Sequence, residues 1–130
     1  MKKLILIIAL FWSASASAAA LSGADSALIK QAGIPIYSKA NFVYGTRDVG
    51  FRFATSVSAD AVKRWYREQL PKWAVLEEYG GWIMYNGKPG ASMGDVMSKH
   101  QVSVQKNDKL PEWHALDKGM TTEIVIMIPQ

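Results

Sequence analysis

The sequence predicts an α+β fold in which one main amphipathic helix packs on a mostly antiparallel sheet of four to six strands. Phe51, Phe53, Thr55 and Val57 alternate with Arg52, Ala54 and Ser56, with the period of two expected of a strand that buries one face. Residues 59–70 then place apolar side chains at helical spacing. The chain afterwards returns to short strand-like stretches separated by turns, and this order of elements favours α+β over an alternating α/β fold.

Residues 1–18 have the three parts of a secretory signal peptide. Two lysines precede an apolar run over residues 4–12, and a stretch of alanine and serine follows. We expect cleavage after Ala18, with Ala16 as the other suitable position. The strongly apolar part is about nine residues long, well short of the roughly 20 needed to span a bilayer, so a cleaved signal is favoured over a stable membrane anchor.

The remaining residues, 19–130, are predicted to form one domain in the periplasm or outside the cell. The chain has no cysteine, so this domain depends on an ordinary hydrophobic core rather than on disulfides. The whole chain carries 15 basic and 11 acidic residues; without the two lysines of the signal peptide the balance is 13 against 11, or +2. This charge is too small to indicate nucleic acid as a partner.

The elements before the main helix are expected to be short. A helix or coil is predicted around residues 24–32, a possible edge strand over residues 41–44, and a strand with Phe51 and Phe53 turned inward. Ser58 is then predicted to cap the main helix by accepting a hydrogen bond from a free backbone N–H of its first turn. Pro71 is predicted to end that helix at Leu70.

The second half of the chain reads as strands joined by turns and two loops. Strands are predicted over residues 73–77, 82–85 and 100–105, with a hairpin turn between the first two. The last strand, in TTEIVIMIP, is apolar on both faces and is therefore expected at the centre of the sheet. Trp82 and Tyr85 should point to opposite faces of their strand, so that at least one could lie on the face that the helix leaves open.

The motif Gly90-Ala91-Ser92-Met93-Gly94 fits G-x-S-x-G, in which many esterases hold a nucleophilic serine. That chemistry needs a buried strand before the serine, a helix after it and a histidine within reach. A turn-forming cluster, Asn86-Gly87-Lys88-Pro89, precedes Ser92 instead, and the domain is too small for a doubly wound sheet. We therefore interpret Ser92 as part of a binding loop rather than as a catalytic residue.

Two loops contain the residues favoured for binding. The first spans residues 86–99, is expected to lack regular structure, and contributes Lys88, Ser92 and Lys99. The second contributes Trp113, the tryptophan with the strongest claim to be exposed, and His114. Glu112, His114 and Asp117 are too few to indicate a metal site, and no cofactor motif is present, so neither a metal nor a cofactor is expected.

The stretch IPIYSKANF, followed by FRFATSVSADAVKRWYREQLPKWAVLEEYGGWIMYNG, carries a recurring packing pattern. A Pro-x-Tyr lead-in at Pro35 precedes a strand ending in Thr55, a helix with Trp65-Tyr66 and Leu70, and a strand at Trp73. In this the chain resembles a poorly characterised family of small exported bacterial α+β domains. The resemblance covers about half of the chain, supports the fold and implies no catalytic residue.

Together these features predict a small exported, non-enzymatic binding or accessory protein, with an envelope protein or a small ligand as its partner. Two alternatives stay open on the sequence. One is an inhibitor or immunity-type protein of the envelope that plugs another enzyme with one of the two loops. The other is a small serine hydrolase that uses Ser92 and His100.

Overall fold

The computed structural model describes residues 20–78, 80–107 and 119–130. Within these ranges the chain forms three helices and six strands. In chain order they are α1 (Gly23–Gln31), β1 (Asn41–Thr46), β2 (Gly50–Thr55), α2 (Ala59–Gln69), β3 (Ala74–Glu78), β4 (Gly81–Tyr85), α3 (Met93–Val96), β5 (Gln101–Lys106) and β6 (Thr122–Met127).

The six strands form one antiparallel sheet in the order β1-β2-β6-β5-β4-β3. This confirms the predicted α+β class. The last strand lies inside the sheet, between β2 and β5, as its apolar character on both faces predicted. Residues 122–126 of this strand are all buried.

The main helix, α2, begins and ends where the sequence predicted. The Ser58 hydroxyl accepts from the N–H of Ala61 at 3.2 Å, and Leu70 caps the other end. Val62 and Tyr66 turn inward and are fully buried, because the apolar positions of this helix recur on one side. The helix packs on one face of the sheet, which we call the helix face.

The buried strand residues of the core under α2 come from β2, β4, β5 and β6, and Phe42 of β1 and Val75 of β3 pack against them, partly buried. The lead-in to β1 closes it from the side, where Tyr66 donates a hydrogen bond to the carbonyl oxygen of Pro35 at 3.0 Å and Tyr37 packs edge-on against Trp65. The buried members of this core are Ile29, Ile34, Phe51, Phe53, Val62, Tyr66, Leu70, Trp82, Met84, Val102, Val104, Ile124, Ile126 and Ile128.

The opposite face of the sheet, the open face, is more buried than the alternation in residues 51–57 predicted. Ala54 is fully buried and Arg52 is half-buried, although both were expected to face solvent. Arg52 lies over the ring of Tyr44 and 3.5 Å from the Glu123 carboxylate, which also accepts from Gln105 at 2.7 Å. An interior strand is flanked on both sides, so its outward side chains are shielded by their neighbours.

The predicted unstructured loop over residues 86–99 is instead an ordered cover on the open face, which corrects that expectation. It contains α3, whose Val96 is fully buried in a small cluster with Ala74 and Tyr85. The Tyr85 hydroxyl donates to the carbonyl of Lys88 at 2.7 Å and accepts from the N–H of Ala91 at 3.3 Å. Each of these bonds ties a different part of the loop to β4.

Trp82 and Tyr85 do point to opposite faces, but neither is exposed. Trp82 is buried on the helix face, where Lys63 and Arg67 of α2 lie within 6 Å of its ring centre. Tyr85 is buried on the open face under the loop that carries α3. Tyr85 therefore lies on the face that the helix leaves open, as predicted, but it is not exposed, because the loop folds back over β4.

The predicted signal peptide, residues 1–18, lies outside the described residues. In the part of the chain that is described, no helix has the length and apolar character needed to cross a membrane.

Candidate functional site

The structure gives Ser92 a role in local folding. Its backbone is extended, and its hydroxyl accepts a hydrogen bond from the N–H of Asp95 at 3.2 Å, which makes it the N-cap of α3. The residues before it form a turn and not a buried strand, as the sequence indicated. Among the described residues no hydrogen bond joins Ser92 to His100, so the geometry of a nucleophile with its base is not present there.

Replacing Ser92 by alanine should therefore cost about 1 kcal/mol of stability, the usual effect of losing an N-cap. Chemical denaturation of the wild type and the Ser92→Ala variant measures this difference. Ser92→Thr keeps a capping hydroxyl and should recover most of the loss. Labelling of the wild type by a serine-directed phosphonate that disappears in Ser92→Ala would contradict this interpretation and favour a hydrolase.

The other predicted binding residues fall into two groups. Lys88 and Lys99 are exposed, at the start and the end of the loop that covers the open face. Trp113 and His114 lie outside the described residues, as do Glu112 and Asp117. Of the five residues predicted for binding, the structure thus places three, Lys88, Ser92 and Lys99, on one loop.

A group of exposed apolar side chains, which sequence reasoning missed, lies at one end of this loop. Met97 directly follows α3 and is 45% exposed, and Val49, in the turn between β1 and β2, is 57% exposed. Met97 and Asp48, the neighbour of Val49, line one cavity of about 280 Å³ together with Arg47 and Met127. We call the surface formed by the cavity residues Arg47, Asp48, Met97 and Met127, together with the neighbouring Val49, the methionine patch.

Local hydrogen bonds hold the elements around the methionine patch. Arg47 donates from Nε to the carbonyl oxygen of Ile128 at 3.0 Å, which ties the β1–β2 turn to the end of β6. The side-chain amide of Gln101 donates to the carbonyl of Val96 at 2.8 Å and so ties α3 to the start of β5. The exposed side chains of the patch therefore stand on backbone that is fixed from two sides.

Tyr44 extends the apolar surface along the open face. It is 44% exposed and stands on the edge strand β1, opposite Arg52 of β2. Tyr44, Val49 and Met97 are the exposed large apolar side chains of the described residues. All three belong to the open face or to the β1–β2 turn at its end, and none belongs to the helix side.

Two further cavities lie on the helix side and contain none of the predicted site residues. One of about 450 Å³ lies between the ends of α1 and α2, with Ile29, Ile34 and Lys30 in its lining. The other, of about 500 Å³, lies at the start of α2 and includes Lys63 and Lys106. No group of three or more histidine, aspartate or glutamate side chains that could hold a metal occurs among the residues described.

The comparisons with known proteins assign no function to this surface. No protein-family model, curated protein or solved structure matches the chain at a significant level.

Proposed function

We propose that residues 19–130 form a small exported, non-enzymatic binding or accessory protein that contacts a protein partner of the cell envelope through the methionine patch. The observation that carries the proposal is that the exposed large apolar side chains of the described residues stand on the open face or on the β1–β2 turn at its end. Single exposed apolar residues are normal on a protein surface, whereas several that share one face are typical of a contact surface.

The chemistry of the patch favours a protein over a small molecule. The cavity holds about 280 Å³, which is at the lower limit for a ligand site, and it is partly open to solvent rather than enclosed. Methionine side chains are flexible and polarizable, so Met97 and Met127 can adjust to the shape of a partner's apolar side chain. The patch therefore fits one apolar anchor residue of a protein better than a whole small molecule.

The charges around the patch influence the orientation of the partner more than the affinity of the complex. Arg47 and Asp48, of opposite charge, both line the cavity, while Lys88 and Lys99 are exposed on the loop that carries Met97. Cations at the rim of an interface raise the association rate of an acidic partner and select its orientation. We expect the partner to present acidic residues around its apolar anchor.

The substitution Met97→Glu should remove this contact. A charged side chain would have to lose its water in the interface, and we expect recovery of the partner to fall by about tenfold or more. The measurement is crosslinked co-purification of the tagged protein from the envelope fraction of its own host, with quantification by mass spectrometry. Met97 is well exposed in the free protein, so the melting temperature of the Met97→Glu variant should differ little from that of the wild type.

Ala27→Glu provides a matched control, because it places the same new charge on an exposed position of α1, a helix that contributes no residue to the cavity. It should leave recovery of the partner unchanged. A partner recovered equally with the wild type and with Met97→Glu would contradict the proposed surface. If the partner is an enzyme that binds one to one and loses activity in the complex, the protein acts as an inhibitor through the same surface.

A further inference from the structure

The two edges of the sheet differ in how well they could accept another strand. β1, at one edge, has a register shift between Phe42 and Tyr44 and a glycine, Gly45, with a positive φ of 132°. Such irregularities twist an edge away from further pairing. β3, at the other edge, pairs with β4 over five residues without a shift, and its other side meets no strand of the described chain.

The register of the β3–β4 hairpin determines which backbone groups β3 leaves free. Glu78 pairs with Gly81, and Asn86, directly after β4, donates its N–H towards β5, to the carbonyl of His100 at 3.0 Å. Backbone groups alternate in direction along a strand, so those of Gly81 and Ile83 turn to β3, and Glu78 bonds to β4. Hydrogen-bonded and non-hydrogen-bonded pairs alternate along an antiparallel ladder, so Leu76 also bonds to β4. The N–H and C=O groups of Val75 and Glu77 therefore point away from the sheet, as two donors and two acceptors.

The side chains of β3 divide the free edge into an apolar half and an acidic half. Val75 is half-buried against the core under α2, and Leu76 is half-buried against the cluster of Tyr85 and Val96. Glu77 and Glu78 are both exposed, one on each face. In the described chain no lysine or arginine forms an ion pair with either carboxylate; the one ion pair recorded there is at Glu123.

We infer that β3 receives an extended segment of a partner protein in which two adjacent basic residues are followed by two apolar, β-branched residues. In an antiparallel arrangement the basic residues lie opposite Glu78 and Glu77, and the β-branched residues lie opposite Leu76 and Val75. Cross-strand pairs of these types stabilise sheets, and the main-chain bonds to Val75 and Glu77 hold the added strand. This inference goes beyond the proposed function, because β3 lies at the opposite edge of the sheet from the β1–β2 hairpin of the methionine patch and would be a second contact surface.

A defined peptide tests the inference without knowledge of the partner. The probe is acetyl-Lys-Lys-Val-Val-Thr-amide, titrated into isotopically labelled residues 19–130 and followed by the amide signals in NMR spectra. The largest changes are expected at the amides of Val75 and Glu77. The peptide acetyl-Glu-Glu-Val-Val-Thr-amide should bind about tenfold more weakly or not at all. Equal binding of both peptides, or no change at Val75 and Glu77 at millimolar peptide, would overturn the inference.

Matched variants distinguish binding of the basic peptide at the β3 edge from its general electrostatic attraction to the protein. Glu77→Lys should weaken binding of the basic peptide about tenfold, whereas Glu68→Lys, the same change on an exposed position of α2, should leave it within about twofold of the wild type. An equal loss in both variants would overturn the inference. Met97→Glu should not affect this peptide, so failure of the methionine patch and failure of the β3 edge give different results.

Discussion

The Tyr66→Ala variant is expected to lose about 3–5 kcal/mol of folding free energy, enough to unfold many small domains. Tyr66 lies on the inner side of α2, is fully buried, and is among the largest side chains of the core. Its ring packs edge-on against Trp65, with ring centres 4.8 Å apart. Alanine would leave a cavity between the helix and the sheet that the surrounding strands cannot close. Urea denaturation followed by tryptophan fluorescence and circular dichroism measures the loss.

Tyr66→Phe isolates the contribution of the hydroxyl group. It keeps the ring but removes the hydrogen bond to Pro35, and the expected cost is about 1 kcal/mol. Burial raises the pKa of Tyr66 above its ordinary value of 10.0, and a smaller effect of a backbone hydrogen bond at Tyr37 opposes this. The folded chain therefore keeps the proton when the unfolded chain loses it, and the stability that the hydroxyl contributes falls as the pH rises above 10.

The difference in stability between the wild type and Tyr66→Phe should accordingly shrink at alkaline pH. Measuring both proteins at neutral pH and at a pH above 10 cancels the effects of the other tyrosines and lysines, which the two chains share. A Tyr66→Ala variant as stable as Tyr66→Phe would mean that the ring is not part of the core, and would contradict the packing of α2 on the sheet.

Gly45→Ala is expected to cost about 3 kcal/mol or more and to disrupt the β1–β2 hairpin. Gly45 has a φ of 132°, a conformation that residues with a side chain rarely adopt. A Cβ at this position would also overlap the carbonyl oxygen of Gly50 on the neighbouring strand. Both effects act on backbone, which cannot move aside as a flexible side chain can. The same denaturation experiment measures the cost.

Gly23→Ala is the matched control for this substitution. Gly23 is the first residue of α1, and a Cβ there would meet no atom within 4 Å. Its stability should stay within about 0.5 kcal/mol of the wild type, or rise slightly because alanine favours helix. A similar change of stability in Gly45→Ala and Gly23→Ala would show that the backbone at Gly45 does not have the described conformation.

The sequence predicted the elements whose patterns are local. Ser58 and Pro71 bracket the main helix because a cap and a proline act on the nearest turns, and the apolar character of residues 124–128 placed the last strand inside the sheet. The hairpin turn predicted at Tyr79-Gly80-Gly81 followed from its composition in the same way, and Glu78 and Gly81 pair across it. These signals needed no knowledge of which elements meet in three dimensions.

The candidate site was harder to predict because it depends on distant parts of the chain. Met97 and Val49 are far apart in sequence, and no periodicity shows that the turn after β1 lies beside the end of α3. Alternation placed Tyr85 on the open face but could not show that residues 86–99 fold back to cover it. One local signal was available: Ser92 three residues before Asp95 is a capping pattern, and it could have predicted α3.

The most direct test of the central claim is photocrosslinking at Met97 in the host cell. A photoreactive amino acid is introduced at position 97, and in a separate strain at Arg64, which is exposed on the outer side of α2. If the methionine patch is the contact surface, ultraviolet light should link position 97 to one envelope protein in high yield, and position 64 should give no such product. Equal products from the two positions, or a specific product from position 64 alone, would contradict the proposal that this protein binds its partner through the methionine patch.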